Sequence, residues 1–500
     1  MIIGIGCVAL GLCLDSYFPI NKSLWTSSFV LLSSGFAFLF LGIFYALPTF
    51  CQLPKAFSDI SLTNLDAFQQ AGKNWTISSD ALADFTKKGD IQSISGTGAV
   101  VNNVSPGNRS HLITKQSFGD LVLELDFMMS KNSNSGVYLQ GRYEVQLFDS
   151  WTKLKPSFDD CGGIYQRWDD SRGKNNEGFE GIAPLMNVAK APGLWQHLKI
   201  IFRAPKFDEK GNKISNAVFE QVYLNGTLVQ TQVSVTGPTR SSLLEDEQPT
   251  GPLMLQGDHG NIAFRNIRFA TPEKSVKNEN AINPILVNAE GKPYLLRSFL
   301  NYGQKKLTHV ISVGHPNQLN YSYDLKQGAL FQIWRGEFLD VTQMWRQRGE
   351  PQLAKPLGAV IVLSDAPALA LLGNPDQAWP DSVAFDDFQN KGYTLDANKF
   401  PSFQYSFNGI SVSDKISATE PSSLVRQLKI TDAPKGLYLR LAAAAEIASL
   451  GNGLYAIGNK SFYITLDNSQ QPIIRKSTLG KELIVAIPAD ASTYSYSITW

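Results

Sequence analysis

The stretch NSGVYLQGRYEVQLFDS, residues Asn134–Ser150, decides the fold. In RYEVQLF, Tyr143, Val145 and Leu147 alternate with Arg142, Glu144 and Gln146. In GVYLQ, Val137 and Leu139 alternate with Tyr138 and Gln140. A period of two belongs to a β-strand with one apolar and one polar face. The apolar face must pack on a second sheet. Outward from this pair the same texture continues: LVLELDFMM (Leu121–Met129), WQHLKIIFRA (Trp195–Ala204), FEQVYLNGTLVQ (Phe219–Gln230) and NIAFRNIRFA (Asn261–Ala270) all read as strands. Asn225-Gly226 is the strongest hairpin signal in the chain. No long amphipathic helix interrupts the series, and this spacing indicates a two-sheet β-sandwich.

The apolar pattern fades at TPEKSVKNENAINPILVNAE and resumes with LTHVISV, ALFQIWRG, GAVIVLS, SFYITL, ELIVAIP and YSYSITW. We therefore expect a β-sandwich over 56–272, a linker over 273–290 and a second β-sandwich domain over 291–500. Ala442–Ala445 fits either a short helix or a small-residue strand. Five hundred residues suit such a division. With 45 Lys+Arg against 44 Asp+Glu, the formal net charge of +1 gives no support to a nucleic-acid binder working by bulk charge. At 43% hydrophobic residues, wholesale disorder is excluded. Of four cysteines, only Cys161 lies beyond residue 51, so a disulfide framework for the β-rich part is impossible.

Residues Ser27–Cys51, SSFVLLSSGFAFLFLGIFYALPTFC, carry no charge. About 25 such residues span a hydrocarbon core of roughly 30 Å, and they exceed the apolar region of a cleaved signal peptide. A membrane anchor over 1–55 is expected, with one helix at 27–51 and a short second apolar segment at 2–14. Lys22 between them places that loop in the cytoplasm and the rest of the chain in a bacterial periplasm. FPINKSLWTSSFVL, Phe18–Leu31, resembles the last loop and helix of a bacterial membrane family related to heparan-α-glucosaminide N-acetyltransferases. That resemblance covers about the first 50 residues and none of that family's catalytic residues, so the segment reads as an anchor.

Candidate chemistry centres on the polar face of Arg142–Phe148. It sets a cation, a carboxylate and an amide side by side, with Tyr138 and Gln140 on the neighbouring strand. Sugar hydroxyls want paired donors and acceptors, and sugar C–H faces want rings. An ordinary solvated outer face fits the same pattern. Asp149 follows at the strand end. Asp159, Asp160 and Tyr165 come next, the two aspartates reading most simply as loop solvation. Gln256 ends a further strand, and Asp258-His259 sit in a glycine-bounded turn, where the carboxylate can hold the histidine tautomer.

NSGVYLQGRYEVQLFDS, GGIY (Gly162–Tyr165), APGLWQHLKIIFRAP (Ala191–Pro205), VYLNGTLV and GPLMLQGDHGNIAFRNIRF (Gly251–Phe269) occur in an order that resembles the 3-keto-disaccharide hydrolase domain family, over roughly residues 60–270. The resemblance implies a concanavalin-like β-sandwich acting on glycosides already oxidised to a ketone at C3. A base removes the C2 proton, the enolate expels the C1 substituent, and water adds afterwards. On this reading the catalytic candidates are Glu144 as base, His259 or Asp149 as acid, and Arg142 or a divalent metal ion at the enolate. Gln146, Tyr138, Gln140, Tyr165, Gln256 and Asp258 are the substrate-binding candidates, with Tyr138 or Tyr165 as sugar platform. Direct hydrolysis by Glu144 and Asp149 is a variant, but Gln146 two residues after Glu144 departs from the glucanase strand signature. The alternatives are a non-catalytic carbohydrate-binding or adhesion module of the envelope and a purely structural protein. Trp334, Arg335, Asp340 and Trp345 form a candidate second sugar surface, with a structural role as the equal alternative.

Overall fold

The computed structural model describes residues 56–273, 283–346 and 351–500, apart from 420, 421, 468 and 490–492. The anchor expected at 27–51 and the segment at 2–14 lie outside the described residues. Among those described, no helix is long and apolar enough to cross a membrane, and the one α-helix is Thr342–Trp345.

Sixteen strands occupy residues 58–270: β1 (Ser58–Asp59), β2 (Trp75–Leu82), β3 (Gln92–Asn102), β4 (Leu112–Phe118), β5 (Leu121–Met129), β6 (Asn134–Leu139), β7 (Tyr143–Phe148), β8 (Arg167–Trp168), β9 (Gly178–Phe179), β10 (Gln196–Arg203), β11 (Lys206–Phe207), β12 (Lys213–Ser215), β13 (Ala217–Leu224), β14 (Thr227–Val235), β15 (Gly251–Leu255) and β16 (Ile262–Ala270). One sheet has the order β14-β13-β10-β5-β16-β3-β2, with β1 on β16, and the other β4-β15-β6-β7. Leu121, Leu123, Leu125 and Phe127 of β5 meet Val137, Leu139, Tyr143, Val145 and Leu147 in one core, all essentially inaccessible to solvent. Each such side chain contributes about 1.5–3 kcal/mol by its burial. Tight turns set the register. Gln140 and Gly141 take φ values of 56° and 65°, and Asn225 and Gly226 take 52° and 79°. Both pairs have positive φ at two consecutive residues, which closes a two-residue hairpin between Leu224 and Thr227 and, between Leu139 and Tyr143, a turn with one extra residue, Arg142.

The remaining strands form a six-stranded sheet within 286–362, a four-stranded sheet and an eight-stranded sheet, and among the described residues no sheet takes strands from both sides of 271–285. Leu286–Val287, inside the expected linker, pairs with the strand Ala329–Asp340. Ala442–Ala444 belong to a strand, Leu437–Ala444. Residues 58–500 form one compact unit. Tyr463 stacks on Phe85 with centroids 5.1 Å apart and donates to the Pro192 carbonyl, while Lys460 pairs with Asp80. These contacts seat the C-terminal half on the outer face of the eight-stranded sheet. The outer face of β6, β7 and β15 lies on the opposite side of the sandwich.

Trp334 and Arg335 correct the second-surface expectation. Trp334 is buried against Phe338, and Arg335 is buried and bonded to Ser422, whereas Trp345 is exposed. The strand Ala329–Asp340 is enclosed on both faces over most of its length, so it buries Trp334 and Arg335 alike and leaves Glu337 and Asp340 partly accessible.

Candidate functional site

The antiparallel register places Glu144 opposite Tyr138 and Gln146 opposite Gly136, and Met254 opposite Tyr138 on the other side. Gln256 donates its backbone N–H to the Gly136 carbonyl at 2.9 Å. Glu144, Gln146, Tyr138 and Gln256 therefore share one sheet face. Gly136 is what lets them meet. A Cβ there would lie 2.1 Å from Glu144 Oε1, so the carboxyl group rests in the space that glycine leaves.

This face is enclosed rather than solvated, with Arg142 at 2%, Glu144 at 2% and Gln146 at 3% exposure. Loops 157–182 and 239–250 supply the cover. Gln146 Nε2 donates to the Asp159 carbonyl (3.2 Å) and to Asn134 Oδ1 (3.3 Å). The Tyr138 hydroxyl reaches the Arg240 carbonyl at 3.4 Å. The Gly162–Tyr165 segment caps the edge of β7, with Tyr165 N–H bonded to the Glu144 carbonyl at 3.2 Å.

Burial pushes the Glu144 carboxyl up to about 8. The negative charge of Asp258 adds to the rise, and a hydrogen bond from Tyr138 opposes it. Tyr138 can serve both protonation states. Its hydroxyl donates to an ionised Glu144, or accepts from a neutral one while donating to the Arg240 carbonyl. Burial, and then the Glu144 charge, also raise Tyr165, which Arg240 opposes. Two buried amide oxygens on this face, Gln146 Oε1 and Gln256 Oε1, have no donor. The Gln146 orientation is fixed by the two bonds its Nε2 makes. Unfilled buried acceptors of this kind each carry a desolvation cost, and a ligand bearing hydroxyl donors relieves it.

At the rim, His259 Nδ1 lies 2.6 Å from Asp258 Oδ1, and the ring is half-exposed. His111 Nδ1 sits 3.9 Å from the same carboxylate and accepts the Gly257 N–H. Burial holds His111 below its ordinary value. The Arg240 guanidinium stacks on Trp168 at 3.8 Å, and Trp168 keeps an accessible surface. Among the described residues, no group of three or more His, Cys, Asp and Glu side chains is arranged to hold a metal ion.

Residues 60–270 match the family model described as the 3-keto-alpha-glucoside-1,2-lyase-like domain. This segment is such a domain. Among solved structures, two candidate glycosyl hydrolases from Parabacteroides distasonis are similar to the chain. One is 21% identical, covering 44% of this chain and 92% of its own, with a TM-score of 0.28. The other is 19% identical, covering 43% and 100%, with a TM-score of 0.29. A carbohydrate-binding module of the CBM66 class from Bacillus subtilis is 14% identical, covering 40% and 97%, with a TM-score of 0.18. No curated protein matches the chain.

Within the lyase-like domain, the structure brings Glu144, Gln146, Tyr138, Tyr165, Gln256, Asp258 and His259 to one face and its rim. Three other candidates are engaged elsewhere. Arg142 donates to the carbonyls of Gln140 (2.9 Å) and Asp246 and to Asp246 Oδ1 (2.9 Å), so its guanidinium holds the 246–250 loop. Gln140 occupies the hairpin turn and donates to the Phe118 and Pro249 carbonyls. Asp149 lies five residues beyond Glu144, about 16 Å along an extended strand. It accepts the Asn132 N–H at 2.8 Å, and burial raises its carboxyl. Asp160 is buried and paired with Lys153 at 2.6 Å, which replaces its reading as loop solvation. Tyr138 is enclosed, so Tyr165 and Trp168 are the rings with accessible surface at this end. Of Gly136, His111, Trp168 and Arg240, the last three carry no signal of their own in the sequence. A glycine inside a strand was the one cue available.

Proposed function

We propose that the protein cleaves glycosides carrying a ketone at C3, on the outer face of β6, β7 and β15. The observation that carries this reading is a raised carboxyl flanked by two buried amide oxygens that lack donors. Sugar hydroxyls are donors, and a carboxylate whose conjugate acid lies near 8 is a stronger base than an ordinary glutamate. Ionised Glu144 takes the C2 proton, and the electron pair moves to the C3 oxygen as an enolate. The enolate re-forms the ketone and expels the C1 substituent, whose oxygen takes a proton from His259, which Asp258 orients. Water then adds across C1=C2, and the net reaction is hydrolysis. Arg240, close enough to act on the Tyr165 ionisation, supplies positive charge toward the enolate. Among the described residues no metal-binding set forms, and no step runs through one.

A sugar-binding module is the second reading, favoured by the same burial: a neutral Glu144 binds hydroxyls without turnover. Full-length protein incubated with 3-keto and unmodified disaccharides separates the two. We expect monosaccharide release from the keto substrate alone. Saturable binding without release would establish the module, and a rate lost on EDTA and restored by a divalent ion would move the enolate to a metal. The uncharged run at 27–51 supports anchoring in a bacterial inner membrane with the catalytic face in the periplasm. Protease added to intact spheroplasts should then digest residues beyond 56, and protection until lysis would reverse the orientation.

A further inference from the structure

On the other side of the sandwich, the outer face of the eight-stranded sheet and the C-terminal half enclose an open cavity of about 310 Å³. Lys190, Gln196 and Arg265 line it from one half, and the apolar segment 359–361 and Lys460 from the other. Its donors exceed its acceptors. Lys190 is half-buried in the cavity wall. It donates to the Trp195 carbonyl at 3.2 Å and makes no ion pair within 4 Å among the described residues, which leaves two of its three N–H groups without a protein acceptor there. Gln196 Oε1 accepts from Lys190 N–H (2.9 Å) and Asn225 Nδ2 (3.2 Å). Those bonds fix the amide, and its buried Nε2 has no acceptor.

The acids nearby are already committed. Asp126 accepts from His197 Nδ1 (2.9 Å), Arg265 Nε (3.3 Å) and Asn266 Nδ2 (2.7 Å). Asp80 takes Lys460 and the Trp195 indole N–H. Arg265 also stacks on Trp195 at 4.0 Å. Lys190, Arg265 and Lys460 thus face two carboxylates, and the surplus positive charge sits at Lys190. Burial pushes the Lys190 ammonium down to about 8, with the Asp126 charge opposing.

We propose that this cavity binds a carboxylate-bearing single sugar ring, a uronate, with the carboxylate on Lys190 and Gln196 and a C–H face on residues 359–361. The excess of fixed donors calls for an oxyanion. The apolar wall and a volume near the lower end of ligand pockets, roughly 300 Å³, call for one ring rather than a chain or a bare ion. Because both halves line the cavity, the site is complete only in the whole chain. It lies on the opposite side of the sandwich from Glu144, so it is independent of the reaction proposed there.

The test is calorimetric titration of the full-length protein with glucuronate, glucose and acetate. Glucuronate should bind saturably, glucose and acetate at least about tenfold more weakly, and glucuronate affinity should fall as the pH passes 8 and Lys190 loses its proton. Lys190→Met should lower the affinity at least about tenfold. Val360→Trp should do the same by filling the cavity from its half-exposed wall while leaving every charge in place. Both variants should melt within a few degrees of the parent, and Glu144→Gln should bind glucuronate as the parent does. No saturable glucuronate binding, equal binding of glucose or acetate, or undiminished binding by both folded cavity variants each overturns the proposal.

Discussion

Glu144→Gln is expected to lower turnover of a 3-keto-disaccharide by about 10²–10⁴-fold, the usual contribution of a positioned general base. The amide keeps the shape that fits over Gly136 and still hydrogen-bonds Tyr138 and sugar hydroxyls, so KM should change little. In the parent, activity should climb with pH toward about 8, because the base must be ionised and burial keeps the carboxyl neutral below that. The variant should lose this limb. Stability should move in the opposite sense. The folded carboxyl holds its proton between its ordinary value of 4.5 and about 8, while the unfolded chain releases it over that range. The stability conferred by the neutral buried acid is therefore fully present below 4.5 and is lost as pH rises to 8. A neutral amide escapes that loss, so Glu144→Gln should be the more stable protein at pH 8, by a few kcal/mol at about 1.4 kcal/mol per unit. Denaturant melts at pH 5 and pH 8 and a kcat-pH profile check both halves. Near-parental turnover would remove Glu144 from the chemistry.

A carboxyl that is more comfortable neutral, beside two amide oxygens with nothing to accept, is a local conflict that packing alone does not call for. Such conflicts concentrate where a fold serves a ligand. The alternation of Tyr143, Val145 and Leu147 with Glu144 and Gln146 could be read directly from the chain, because the β period is a local property. So could the family resemblance over 60–270, which rests on five short motifs in order and which the family model reproduces at 60–270. What covers the polar face could not be read. Arg240 and Asp246 come from about a hundred residues downstream, and alternation distinguishes core from non-core without telling water from a loop. That is why Arg142 looked like a partner for substrate charge. Asp149 failed for a related reason: adjacency in sequence to a strand that carries Glu144 still means about 16 Å of separation in space. The Asp258-His259 pair is legible because a glycine-bounded turn is a local signal, whereas His111, brought to the same carboxylate from the start of β4 beside β15, gives none.

Arg142→Met should separate holding the site from acting in it. The guanidinium is almost fully buried and bonds the carbonyls of Gln140 and Asp246 and the Asp246 carboxylate, with Thr250 O at 3.5 Å. Methionine fills much of the volume but answers none of these acceptors. The backbone carbonyls stay under cover, and each costs about 1–3 kcal/mol when left without a donor. The Asp246 side chain is itself largely exposed, so its share is small, and about 3–5 kcal/mol is expected in total. The loop that Arg142 ties down also carries Glu247, which accepts from the Tyr143 hydroxyl at 2.7 Å. Loosening it should therefore raise KM as well as lower the melting temperature. Measured well below that temperature, kcat should stay within about tenfold of the parent, since the guanidinium touches no reacting atom. A kcat loss matching that of Glu144→Gln, with an unchanged melting temperature, would return Arg142 to the enolate.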